Sequence, residues 1–187
     1  RAGARPGDVV AVAGRLGHAA AGYTVLCRGF RTPKVLVDAH RRPEVRYAAG
    51  PEAAGLGATA MIDVSDGLLA DLGHVATASG VGIDLRKDAF PLPAQMRDAA
   101  AALGVDPYTW LLAGGDDHAL AATFPPGIEL PDRWRVVGQV MEAPVPEVTV
   151  QRPCPSYRPG VPVGQATSML LTVRVSPLAA VRVWVFV

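Results

Sequence analysis

The residues best equipped for chemistry lie in MIDVSDGLLADLGH, Met61–His74, where Asp63, Ser65 and Asp66 follow a short apolar run. The pattern predicts Asp63 at a strand end and Ser65 and Asp66 at a helix start. Carboxylates placed there project over the edge of a sheet, where open α/β folds bind their ligands. Magnesium takes oxygen ligands, with one or two carboxylates completed by water and phosphate oxygens. A helix start adds free N–H groups and a positive dipole end suited to phosphate. Together these features describe a site for a metal-bridged polyphosphate. The same residue types also make an ordinary helix cap, with Ser65 or Asp66 as the capping residue.

A second candidate is AGGDDH, Ala113–His118. Two glycines let the backbone turn tightly or approach a ligand, and two carboxylates, Asp116 and Asp117, follow at once. Glycine before aspartate is equally a plain turn. His118 is a candidate base by type, though such a histidine is more often structural. The glycine-rich segment VAGRLGHAAAG at 12–22 opens a helix but has neither GxxxxGK[ST] nor GxGxxG spacing, so its glycines serve turn geometry and packing. With no HExxH, GxSxG or Cys/His cluster, zinc chemistry and serine hydrolysis are poor readings.

The elements that must position these groups follow from periodicity. Val9 to Ala13 reads as a buried strand after a Pro-Gly-Asp turn, and His18 to about Arg28 as an alanine-rich helix. A helix is expected before Pro43. Ala58 to Asp63 is a strand. Leu68, Leu69, Leu72, Val75 and Ala76 recur at helical spacing, and Gly80 supplies the stop. Val81, Ile83 and Leu85 alternate as in a half-buried strand. Ala94 to Leu103, closed by Gly104, and Asp106 to Ala113 are helices. His118 to Phe124 and Trp134 to Val140 are strands. Strands alternating with helices predict an α/β or α+β sandwich, a sheet covered by helices.

Proline is dense from Pro144 to Pro162, so residues 143–168 read as a Pro-rich loop or linker. Residues 169–187 form an apolar tail of unknown role. It holds Arg174, Pro177 and Arg182, which a transmembrane helix tolerates poorly, and Val181 to Val187 alternate as in a strand. With 50% hydrophobic and 19% charged residues, the 187-residue chain can bury a sizeable core. A net charge of +1 gives no electrostatic basis for nucleic acid or an anionic membrane as partner. Cys27 and Cys154 are too few for a disulfide framework and fit a reducing cytosol. Cys27 reads as a small core hydrophobe and Cys154 as a loop bystander. The chain opens on Arg1 without a signal peptide and reads as an excerpt or processed product.

Four segments, RAGARPGD at 1–8, VAGRLGHAAAG at 12–22, MIDVSDGLLADLGHVATASGVGIDL at 61–85 and LLAGGDDHALAATFP at 111–125, resemble in order the C-terminal part of the thiamine-monophosphate kinase family. That family lies in the AIR-synthetase-like superfamily, and the resemblance covers residues 1–142. It implies a C-terminal α+β domain that works with an N-terminal domain absent here, ATP and Mg²⁺ ions lying between the two. The implied reaction transfers the γ-phosphoryl group of ATP to thiamine phosphate, giving thiamine diphosphate. By the same matching, Asp63 and Asp66 are magnesium ligands, while Ser65 and Arg1 contact ATP. Asp116 falls where the family's Gly-Gly-Glu-Asp motif has a substrate-side glutamate. The resemblance further implies a homodimer when the N-terminal domain is present, and a cytoplasmic place. Alternatives are another ATP-dependent member, of selenophosphate synthetase or hydrogenase-maturation type, or a non-catalytic nucleotide-binding module.

Overall fold

In a computed structural model, residues 1–151 and the backbone of residues 170–173 are described. The apolar runs become strands β1 (Val9–Ala13), β2 (Ala60–Val64), β3 (Gly82–Arg86), β4 (Ala119–Phe124), β5 (Trp134–Met141), β6 (Glu147–Gln151) and β7 (Leu170–Val173). The helices are α1 (His18–Cys27), α2 (Lys34–Arg41), α3 (Ala49–Gly55), α4 (Leu68–Ser79), α5 (Ala94–Leu103) and α6 (Pro107–Ala113). One mixed sheet orders the strands β2-β4-β1-β5-β3-β6-β7. Neighbours are antiparallel except β3 and β6, which run parallel. The architecture is α+β, one of the two classes the alternation of elements allows and the one the resemblance implies.

The sheet buries both faces, unequally. On one, Val10, Val12, Ile62, Val64, Ile83, Leu85 and Val137 join a core with Val25 of α1, Leu36 of α2, Met96 of α5 and Leu111 of α6. From α4 come Leu68, Leu69, Leu72, Val75 and Ala76, the stripe its helical spacing predicts. Each large side chain buried this way contributes about 1.5–3 kcal/mol. On the other face, Ala11, Ala13, Ala122, Phe124 and Trp134 pack with Ala49 and Ala53 of α3. Phe124 meets Trp134 edge-on at 5.2 Å between ring centroids, and the Trp134 indole N–H donates to Glu52 Oε2 at 2.9 Å.

Several expectations need correcting. Helix α3 was not foreseen, since AGPEAAG holds two glycines and a proline, all poor helix formers. Pro51 falls in its first turn, where an N–H has no intrahelical partner in any case, and the buried faces of Ala49 and Ala53 decide the outcome. Strand β3 is buried on both faces rather than half-buried. Its Asp84 is tolerated inside because Thr149 Oγ1 donates to Oδ1 at 2.7 Å and the Gln151 amide donates to Oδ2. Cys27 is exposed rather than a core hydrophobe, because it closes α1 four residues after the outward-facing Tyr23. The stretch from residue 143 that was expected to be a Pro-rich loop contains β6, Glu147–Gln151, which lines up along β3. Four residues of the apolar tail form β7 against β6. The strand expected at Val181 to Val187, and Cys154, lie outside the described residues.

Candidate functional site

Strands β1 and β2 are each antiparallel to β4, so their C-terminal ends and the start of β4 share one edge of the sheet. The β2–β4 ladder closes with Val64 opposite Ala119, yet the backbone pairing continues past it. The His118 N–H donates to the Val64 carbonyl at 3.2 Å and the Asp116 N–H to the Ser65 carbonyl at 2.9 Å. The two motifs singled out by residue type are therefore one structure: the turn at Ser65–Gly67 lies against the turn at Gly114–His118. Glycine is required where they touch. A Cβ on Gly115 would stand 2.1 Å from the Ser65 carbonyl oxygen. One on Gly67, whose φ is 120°, would stand 2.7 Å from the Ala113 carbonyl oxygen.

The cap of α4 is not the one expected. Neither Ser65 nor Asp66 caps the helix; Gly67 occupies the N-cap position without a side-chain bond. Instead Asp71, buried in the helix's first turn, reaches back. Its Oδ2 accepts from the N–H groups of Ser65, Asp66 and Gly67 at 3.0, 3.0 and 3.1 Å. Those three amides, read as free for phosphate, are spent on Asp71. The three bonds tie the turn to the helix, and neither the Ser65 nor the Asp66 side chain is used in the cap. Burial raises the Asp71 pKa despite the three donors, and the charge of Asp66 raises it further.

Asp63 and Asp66 are both exposed, and they open onto different surroundings. Asp63 alternates with the core residues Ile62 and Val64, so it faces the sheet's other side. There it borders a cavity of about 400 Å³ with Arg46, Tyr47 and His118. Asp66 offers a carboxylate oxygen within 4.8 Å of ligand atoms of Asp71 and His74. Asp116 is exposed, with a left-handed backbone at φ 65°, and His118 shares that conformation at φ 52°. Between them Asp117 turns inward. Its Oδ1 accepts the Ala19 N–H at the start of α1, 3.0 Å away, while Oδ2 is buried without a partner among the described residues. Burial raises its pKa from 3.8 to about 6, against the pull of the Ala19, Gly17 and His18 amides and the Arg15 charge.

The residues after Arg1 are held elsewhere. The Gly3 and Ala4 N–H groups donate to Ser79 Oγ at 3.1 and 3.2 Å, at the far end of α4. A helix of 12 residues is about 18 Å long. Asp71 and Asp117 are the residues that sequence reading missed. An acid in a helix's first turn is a recognisable signal for Asp71. No sequence feature tells which member of the Asp116–Asp117 pair turns in.

Donor chemistry fits magnesium here. Asp63 and Asp66 are accessible carboxylates, and the buried Asp71 oxygen already accepting three N–H bonds holds the Asp66 turn in place. Asp63 and Asp66, each in its own surroundings, leave one carboxylate apiece for an ion whose other ligands are water and phosphate oxygens.

This fold, with paired acidic turns on one sheet edge, defines the chain's class: residues 5–151 match the AIR synthase related protein, C-terminal domain, and the chain belongs to that family. Within it, the chain is similar to thiamine-monophosphate kinases. It is 50% identical over 145 residues to the one from Mycobacterium tuberculosis, covering 77% of this chain and 43% of that protein. Among solved structures, AaThiL complexed with AMPPCP and TMP superposes with a TM-score of 0.72 at 33% identity, covering 80% of this chain and 49% of that one. The hydrogenase maturation protein HypE in complex with ATP gives a TM-score of 0.58 at 16% identity, covering 79% and 48%, a likeness of fold alone. The chain spans about half the length of the curated relatives it matches.

Proposed function

We propose that this chain forms the C-terminal part of an ATP- and magnesium-dependent thiamine-phosphate kinase, a phosphotransferase producing thiamine diphosphate. The observation that carries this reading is the backbone pairing of the Ser65–Gly67 and Gly114–His118 turns, which sets an acidic metal side and a second acidic side along one edge. Support comes from the similar structure holding AMPPCP, an ATP analogue, and TMP, read here as thiamine phosphate.

Joining two polyanions requires that their repulsion be neutralised and their oxygens aligned in line. Magnesium, when bound, supplies charge neutralisation and a template for the phosphates. Asp63 and Asp66, which open onto different surroundings, would each hold a separate ion. The Ser65 hydroxyl, on the turn fixed by Asp71, contacts the nucleotide. Asp116, one methylene shorter than glutamate, faces the acceptor from the paired turn. Arg1 would have to meet the polyphosphate from the far end of α4, so replacing it tests that role separately. No helix among the described residues is long and apolar enough to cross a membrane. The proposed setting is the cytoplasm, as a homodimer once an N-terminal domain is present.

The test is magnesium-dependent formation of thiamine diphosphate from ATP and thiamine phosphate, by this chain alone and with a relative's N-terminal half supplied. Product is expected in the second case and is lost in Asp63→Asn and Asp66→Asn. Wild-type rates in both variants would sink the metal roles. Nucleotide binding without turnover in either case favours a non-catalytic module.

A further inference from the structure

Arg135 stands where the sheet should be apolar. It is paired in register with Val12 and lies two residues before Val137, both members of the helix-side core. Residues directly opposite on paired strands share a face, so the pairing with Val12 places Arg135 on that side, just before the bulge that interrupts β5 at Val137. It is exposed and has no ion-pair partner among the described residues. Beside it opens a cavity of about 230 Å³ whose apolar walls include Phe90, Leu111 and Val137 and whose polar edge includes Arg15, Arg135 and His18. Phe90, Leu111 and Val137 are buried at 4%, 4% and 1% exposure, so the floor belongs to the packed core.

Arg15 can also turn toward a ligand. Its ion pair with Glu44, 3.3 Å, joins two side chains that are 37% and 61% exposed, and such surface pairs contribute little. Glu44 keeps a second cation, Arg46, at 3.8 Å when Arg15 leaves. His18 donates from Nδ1 to the Leu16 carbonyl at 3.1 Å, and burial lowers its pKa. Asp63 faces the opposite side of the sheet, and none of Asp63, Ser65, Asp66 and Asp116 lines this cavity.

We propose that this cavity is a second ligand site, for a small molecule carrying one anionic head, phosphate or carboxylate, on a compact apolar body. The two guanidiniums take the head as planar donor forks, and the Phe90, Leu111 and Val137 walls take the body. The volume lies just below the ~300–1,000 Å³ of drug-sized pockets, so the body is no larger than one ring.

The test is calorimetric titration of the full chain with phenyl phosphate, benzoate and inorganic phosphate, in buffer lacking magnesium and nucleotide. Saturable one-to-one binding of phenyl phosphate or benzoate is expected, about tenfold or more tighter than inorganic phosphate. The tighter of the two names the head group. Arg135→Gln should weaken it by about tenfold, the scale of one charge-assisted hydrogen bond, with an unchanged far-UV dichroism spectrum. Amide shifts should move at Arg15, His18 and Phe90. Equal affinity for inorganic phosphate, undiminished binding by the Arg135 variant, or no saturable binding of either probe overturns the proposal. With magnesium and ATP both absent, each of these outcomes is independent of whether the kinase reading holds.

Discussion

Asp117 gives the sharpest test of how the site turns are held. Its carboxyl is 6% exposed, with one oxygen on the Ala19 amide and the other unpartnered among the described residues. Raising the pKa from 3.8 to about 6 means that the folded chain binds this proton more tightly than the unfolded one. Between those values the native state holds more protons, so stability falls as pH rises, and the full penalty is present above pH 6. At 1.36 kcal/mol per pKa unit, the penalty is about 3 kcal/mol. Asparagine cannot ionise, so the difference in stability between wild type and Asp117→Asn isolates this group from the other carboxyl groups. Urea denaturation from about pH 3.5 to 7.5 should show that difference shifting by about 3 kcal/mol against the wild type as pH increases. A flat difference refutes the reasoning. A shift in the wild type's favour would mean that the α1 amides and Arg15 outweigh burial, holding the carboxylate ionised.

Asp71→Ala strands three N–H donors and should cost about 3 kcal/mol in urea denaturation, whereas Asp71→Asn keeps an acceptor and should recover part of the loss. Gly115→Ala forces a Cβ against the Ser65 carbonyl, at about 1–3 kcal/mol, and should shift the amide resonances of Ser65 and Asp66. In Thr149→Val, Asp84 Oδ1 loses its buried donor, for a loss of about 1–3 kcal/mol by thermal or urea unfolding.

Most of the sheet and of the helical cover was legible, because burial leaves a mark at the period of each element. Leu68 to Ala76 on α4, and the alternation at Val81, Ile83 and Leu85, are such marks. Helix α3 left none, since alanines packed on the small residues of β1 and β4 outweigh its poor propensity. The membership of Asp63, Ser65, Asp66 and Asp116 in one edge was legible only as two separate motifs; the hydrogen bonds joining them are made by backbone, which residue types do not reveal. Asp71 and Asp117 were missed for a related reason. Each uses its charge on amides of another segment, and a buried carboxylate reads in sequence like any exposed one. Arg1 shows the converse: its motif matches the family, yet Ser79 ties the following residues to the opposite end of α4.

The continuation of the β2–β4 pairing into the two turns makes the sheet a ruler. The spacing between Asp66 and Asp116 is counted out in rungs, with each carboxylate a fixed number of peptide units beyond the last strand pair. Side chains along this edge can therefore be exchanged to retune what is bound while the frame stays in place. Inserting or deleting a single residue in either turn is a different kind of change. It would break the match between the Asp116 N–H and the Ser65 carbonyl that sets the spacing, so the edge should accept new chemistry by substitution and refuse it by change of length.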